Sequence, residues 1–401
     1  MVGHLTDGLL TGMDEAHMAD IAGLQGLRAA PTEAQTLTTP PYDVIKEGSD
    51  LEHLLESNPN SFFHVTLGLN PAQALQDLQA KGVLIPDTEP CFYVYEQKWG
   101  GGERLGFFAA VAVSAYAEGQ IVRHEKTFDE KVKGRLKVTN DTGYTLEPIF
   151  LLTKSALQPI LAKVVAEYPA TYAFTSDFKG WNDLHGITNR LFRVPSASVL
   201  GRDLQNCIGE NPLYIADGHH RYHAALLNGQ THAMAYIVEK ARILAYNRVI
   251  NGKVKFKDIV GSLVLKPCEK FQSPEKHSFC LYSKAGCFTL AAKHVPTDVV
   301  GQLDCSILEK ELYPLLGVDH SMILQKKHFD YYPESDLGTM QSLVDQGEYD
   351  LAVALCPVSI GELMQVANAG LKNSEIVMPE KSTFFAPKIL SGLVLYKHVK
   401  T

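Results

Sequence analysis

Short apolar blocks alternate with polar ones along this chain, and glycines and prolines cut them into separate elements. Residues 91–97 alternate with the period of a strand, Gly100-Gly101-Gly102 turns the chain, and 105–115 is rich in Phe and Val. That order predicts a β-hairpin. Residues 72–81 read as a helix ended by Gly82, and 156–167 as a second helix. Leu213-Tyr214-Ile215-Ala216 is a brief apolar run, and good helix formers follow over 222–227 and stop at Asn228-Gly229. Strand, glycine turn, helix is the reading there. Strands are also expected at 119–125, 234–238 and 243–250. Beyond residue 255 the pattern predicts strands at 259–265, 277–290 and 349–355, with helices at 303–316, capped by Asp304, and at 360–369. Thr39-Pro40-Pro41-Tyr42-Asp43-Val44 is expected to be rigid and extended, since each proline fixes its own φ and biases the residue before it. The elements show neither regular βαβ alternation nor repeats, which predicts an α+β fold. Residues 1–21 read as a flexible extension, 22–255 as one domain, and 256–401 as a second α+β block packing on the first.

Composition narrows the partners. The chain has 401 residues and a formal charge of -8, which argues against direct nucleic-acid binding. Its seven cysteines are scattered and form no Cys-x-x-Cys pair, so a reduced, cytoplasmic setting fits better than a disulfide framework or a zinc ribbon. No apolar run approaches membrane-spanning length. The first seventeen residues lack Lys and Arg, and so lack the basic start of a signal peptide.

The candidate chemistry concentrates in Ile215-Ala216-Asp217-Gly218-His219-His220-Arg221. A helix start after a glycine turn offers free N–H groups and a positive dipole end to an anion. Gly218 lets the backbone come close, and Arg221 can set a planar fork on two phosphate oxygens. Asp217 is placed to hold a metal, take a proton or cap the helix. An ordinary capped turn would look the same. His219 and His223 lie one helical turn apart, but a zinc site would want a third ligand, and His220 stands where a metalloprotease motif puts its glutamate. Between Met378 and Lys388 the chain is dense in proline and charge. Lys381, Ser382, Thr383 and Lys388 could meet a phosphate there, or the segment is a proline-fixed loop packing Phe384 and Phe385 inward. The chain lacks a Gly-x-x-x-x-Gly-Lys-Ser/Thr loop, a Gly-x-Gly-x-x-Gly after a strand, and the protein-kinase set.

Pro40 to Ile45, Asn58-Pro59-Asn60 with His64, and the stretches 119–127, 214–222, 303–308 and 378–392 together resemble one family. It is a bacterial and archaeal family of unknown function, grouped with the ParB and sulfiredoxin-like superfamily. The resemblance spans residues 22 to 398. The Ala-Asp-Gly-His-His-Arg segment is also similar to the Ala-Asp-Gly-His-x-Arg of that superfamily's free-serine kinases. What the resemblance implies is a ParB/sulfiredoxin-like nucleotide-binding core, with Asp217, Gly218, His219 and Arg221 as phosphate or metal-phosphate contacts and His220 beside them. It implies ATP or ADP with Mg2+ near Asp217, and a small hydroxyl-bearing metabolite such as free serine as acceptor. His124-Glu125 matches the kinases' catalytic glutamate segment, and Asp43 is expected on the same cavity as His124 and Glu125. This chain departs from the family at His220, where the kinases carry a smaller polar residue. It departs again at Asn247-Arg248 in place of His-Arg, and at 144–150 in place of a simpler Ser-Pro-Ile-Phe. A small-molecule kinase is the leading expectation. A slow nucleotide-dependent switch or adaptor, and a nucleotide or phosphate-ester hydrolase, stand as alternatives.

Overall fold

Alternate residues of the predicted hairpin feed two different cores. Strands Cys91–Trp99 and Gly102–Ala112 pair antiparallel. Phe92, Val94, Phe107, Ala109 and Val111 enter one apolar cluster, while Tyr93, Tyr95, Phe108 and Ala110 enter another on the opposite face. Both faces are covered, so residues 91–95 form a continuous apolar run and not the alternation read from the sequence at 91–97. The computed structural model describes residues 19–127, 129–179 and 183–398, apart from the side chains of 129 and 131. Most of the extension expected at 1–21 lies outside the described residues.

Among the described residues the hairpin is the centre of a nine-stranded mixed sheet. On one side His232–Val238 joins Gly102–Ala112, followed by Ile149–Leu152, Leu213–Asp217 and Ile121–Val122. On the other side Thr188–Pro195 and Tyr172–Thr175 follow Cys91–Trp99. Helices Gln158–Glu167 and Val199–Asn206 pack Leu161, Val164, Leu200 and Leu204 against one face. The other face receives Leu51, Leu55, Leu75 and Leu78 from helices near the start of the chain, and Leu363, Val366 and Ala367 from helix Ile360–Lys372 near its end. A six-stranded sheet is built mostly from residues after 264 but includes Tyr246–Ile250. The fold is α+β. No helix among the described residues is long and apolar enough to cross a membrane.

Several elements differ from the sequence pattern. Residues 259–265 do not form one strand: helix Phe256–Ile259 and a 3-10 turn Val260–Ser262 precede a short strand Leu265–Pro267. Phe256 and Ile259 both reach the same core, at a spacing that suits a helical turn. The strand expected at 119–125 is confined to Ile121–Val122. The proline segment is followed by a turn at 42–44, with the Val44 N–H donating to the Pro41 carbonyl (3.1 Å). Asp304 does not cap its own helix, Asp304–Glu311. Its carboxylate instead accepts the His277 N–H (3.0 and 3.1 Å), and burial lifts its acid to about 6.

Gly106 marks the tightest approach in the central strands. A Cβ there would lie 2.5 Å from the Ile237 carbonyl oxygen and 2.8 Å from the Tyr236 ring. Gly106→Ala should therefore lower stability by about 1–3 kcal/mol through overpacking. A denaturant midpoint equal to that of the unmodified protein would contradict this packing.

Candidate functional site

Parallel pairing brings two distant segments to one edge of the sheet. Leu213–Asp217 runs parallel to Ile121–Val122, with Leu213 opposite Ile121 and Tyr214 opposite Val122. Both strands therefore end on the same side, where one delivers Asp217 and the other continues to His124 and Glu125. Gly218 follows Asp217 with φ +96°, in the left-handed region that favours glycine. A Cβ at Gly218 would also lie 2.8 Å from Arg221 Nε, so the guanidinium folds back over the turn only because no side chain is there. Helix His219–Leu227 begins at once, and no side chain caps it. Its amino end presents its first backbone amides and the positive dipole end that favours an anion.

That turn forms one wall of a cavity of about 570 Å³. Asp43, Glu125, Asp217, Gly218, His219, His220, Arg221, Lys381, Thr383 and Lys388 all line it. His124 and Ser382 do not. His124 is wholly buried behind the wall, and the Ser382 hydroxyl donates to the Pro379 carbonyl (2.6 Å) and lies 3.3 Å from Cys305 Sγ. His223 lies outside the lining, and among the described residues no group of three metal-ligating side chains includes His219 or His223.

The floor of the site is a network of charges. Asp217 Oδ1 accepts from Arg221 Nη2 (3.1 Å), and Oδ2 accepts from Lys388 Nζ (2.8 Å). Arg221 Nη1 donates to Glu147 Oε2 (3.2 Å), while Glu147 Oε1 accepts from the Ser391 hydroxyl (2.6 Å) and the Tyr42 N–H (3.2 Å). Burial alone would raise the Asp217 acid, but Lys388 and Arg221 outweigh it and hold the carboxyl well below its usual range. Burial works against charge on Arg221 and Lys388 too, yet their carboxylate partners keep both more firmly protonated than usual. Lys381 Nζ lies over the Tyr246 ring, 5.1 Å from its centre, and its pKa is raised chiefly by Tyr246, with Asp43 helping against burial.

A histidine pair backs the carboxylate side. The rings of His124 and His219 meet edge to face with centres 4.5 Å apart. The His124 backbone N–H donates to His219 Nε2 (3.4 Å), which leaves Nδ1 of a neutral His219 to carry the proton, facing Glu125 Oε2 at 3.6 Å. Burial drives the His219 pKa well below its usual value, and the neighbouring His124 adds to the effect. His124 itself is pushed down to about 4 by burial, against a pull in the other direction from Ile215 and Asp217.

Residue patterning alone missed Glu147, Tyr42 and Arg135. Glu147 carried a signal, because it lies within the 144–150 stretch where this chain departs from the expected Ser-Pro-Ile-Phe. Its role as the partner of Arg221 requires the folded sheet. Arg135 stacks over the Tyr42 ring at 3.6 Å, and both line the cavity.

A sequence profile described as "Protein of unknown function (DUF1015)" matches residues 21–306. The chain belongs to this family. The DUF1015 match includes Glu125, Glu147 and the turn from Asp217 to Arg221, while Lys381 and Lys388 lie beyond it. No curated protein matches the chain. Among solved structures, a free serine kinase in complex with AMP is 15% identical with a TM-score of 0.36, covering 72% of this chain and 92% of that one. A conserved hypothetical protein from Pyrococcus furiosus is 12% identical with a TM-score of 0.34, covering 74% and 94%. SbnI from Staphylococcus aureus, truncated at its C-terminus, is 12% identical with a TM-score of 0.36, covering 71% and 85%.

The buried histidines make stability depend on pH. In the unfolded chain each titrates near its ordinary value of about 6.5. In the folded protein His124 stays neutral down to about 4, and burial holds His219 neutral well below its ordinary value. Between those values the unfolded chain takes up protons that the folded one does not, so stability present above about pH 6.5 is lost as pH falls toward 4. The loss from His124 should be on the order of 3 kcal/mol. Denaturant titrations across this range should show the fall, and His124→Phe should flatten it; an equal slope in that variant would contradict the assignment.

Proposed function

We propose that the cavity binds the phosphates of a nucleotide, ATP or ADP, and passes a phosphoryl group to the hydroxyl of a small metabolite. The observation that carries this reading is the uncapped amino end of helix His219–Leu227, flanked on the cavity wall by Arg221, Lys388 and Lys381. Five Lys or Arg and four Asp or Glu line the cavity, in a chain whose overall charge is -8. A locally cationic wall in an acidic protein suits an anionic ligand, and the volume falls within the range of small-molecule sites.

Phosphoryl transfer needs charge neutralised at the phosphates and an oriented nucleophile, with little covalent work by the protein. Arg221, Lys388 and the helix amides would provide the first. Glu125, partly exposed to the cavity, would accept the acceptor hydroxyl's proton as the new O–P bond forms and the bridging P–O bond breaks, leaving the shortened nucleotide as leaving group. Neutral His219 would steady the Glu125 carboxylate. Each Asp217 oxygen accepts one hydrogen bond, from Arg221 or Lys388, and keeps a second lone pair with which it would hold a phosphate-bound magnesium ion. Such an ion would add to the charge neutralisation that Arg221 and Lys388 bring to the phosphates.

A second reading, a nucleotide-dependent switch, draws support from the same pairs. Arg221 and Lys388 are already engaged by carboxylates, so an incoming phosphate would compete with Asp217 and Glu147 for their charge, and a change of partners would rearrange the segments carrying them.

Arg221→Ala should weaken nucleotide binding by about 1.5–3 kcal/mol, the worth of a charged hydrogen bond. Calorimetry checks this, with circular dichroism to verify folding and Arg221→Lys as the milder variant; unchanged affinity in both would remove the phosphate site. Glu125→Gln should bind nucleotide normally yet lose transfer, since an amide cannot take the proton. Labelled nucleotide offered with hydroxyl-bearing metabolites, free serine first, reads the reaction directly. Hydrolysis that no acceptor alters would favour a hydrolase, and tight binding with neither outcome would favour the switch.

A further inference from the structure

Three cysteines outside the cavity lining, separated by eleven and six residues in sequence, converge in the six-stranded sheet. Cys268 follows strand Leu265–Pro267, Cys280 lies on Ser278–Ser283, and Cys287 lies on Gly286–Ala291. The Cys268 N–H donates to the Cys287 carbonyl (3.0 Å), which sets those two opposite each other. Tyr282 pairs with Cys287, so Cys280, two positions back, is its diagonal neighbour on the same face. The Sγ atoms of Cys280 lie 3.8 Å from Cys268 and 3.7 Å from Cys287, and the Cys268–Cys287 pair is at 2.9 Å. Cys280 is buried against an apolar layer containing Phe271, Met340 and Val344, while Cys268 and Cys287 are half-buried and reachable from solvent.

We propose that Cys268, Cys280 and Cys287 form a site for a thiophilic divalent cation of the Zn(II) type, held by three thiolates with its fourth position open to water or a small ligand. Zn–S bonds of about 2.3 Å at tetrahedral angles set sulfurs about 3.8 Å apart. Two of the three separations already match this, and the third reaches it if Cys268 and Cys287 part by about 0.9 Å, a side-chain adjustment at half-buried positions. Soft thiolates select zinc, copper(I) or iron–sulfur ligands over hard cations. Burial disfavours the anionic form of Cys280 and Cys287, and the charges acting on them come from the other thiols of the group. A divalent ion offsets three thiolates better than a monovalent one. Binding forms three metal–sulfur bonds and releases the thiol protons to the buffer, with no change of oxidation state.

The full chain, reduced and stripped with a chelator under anaerobic conditions, should take up one equivalent of Co(II). Uptake should bring a near-ultraviolet thiolate-to-cobalt charge-transfer band, and Zn(II) should displace it. Cys268→Ser and Cys287→Ser should each lose the band, while Cys207→Ser keeps it. Zinc should also protect Cys268 and Cys287 from alkylation in the unmodified protein, read by peptide mass spectrometry, which needs no variant. Uptake without the band, a band that survives Cys268→Ser, alkylation indifferent to zinc, or a Cys268–Cys287 disulfide in anaerobically purified protein would each overturn the proposal.

Discussion

The carboxylate of Asp217 is shared between Arg221, one helical turn away, and Lys388, 171 positions further along the chain. Glu147 extends the same network from Arg221 to Ser391 and to the backbone of Tyr42. Four segments scattered over most of the sequence thus meet around two acids and two bases. Each of these charges would be costly to bury alone, and removing one partner of such a group commonly costs about 3–5 kcal/mol because the other is stranded. The network therefore holds the fold and the cavity wall together as one object. Its acids also keep the cations aimed and spaced, the preorganisation that the proposed anion binding would need.

Local order in the sequence made a good part of this legible. The hairpin around Gly100 to Gly102, the helix ended by Gly82 and the strand–turn–helix at Gly218 all follow from nearest-neighbour chemistry, and all appear close to their expected positions. The misread segments are those where tertiary contacts decide. Phe256 to Leu265 is an apolar stretch whose helical start is fixed by what Phe256 and Ile259 pack against. The strand at Ile121 stops after two residues because the chain leaves the sheet toward the cavity.

Side-chain partnerships were less visible than elements. Asp217 and Arg221 were readable because one helical turn separates them, and the motif around them is compact. Glu147 stands 74 positions from the guanidinium it holds, and nothing local in its segment names that partner. The thiol group shows the same limit. Cys268, Cys280 and Cys287 have spacings without a metal-binding signature, and only the register of three adjacent strands brings their sulfurs together.

Strand Val394–Lys397 lies between Gly26–Ala29 and Tyr144–Thr145, with Tyr396 paired to both Gly26 and Thr145. Lys388 and Ser391 arrive on the approach to that strand. A chain emerging from the ribosome exposes the Gly218 turn long before either residue exists, and Asp217 then lacks its lysine while Glu147 lacks the Ser391 hydroxyl. Assembly of the pocket is thereby deferred until residues 388–391 have been made. A polypeptide ended before Lys388 would carry the whole Asp217-to-Arg221 motif and still have an unfinished cavity wall, so the order in which the segments are made separates the motif from the pocket it lines.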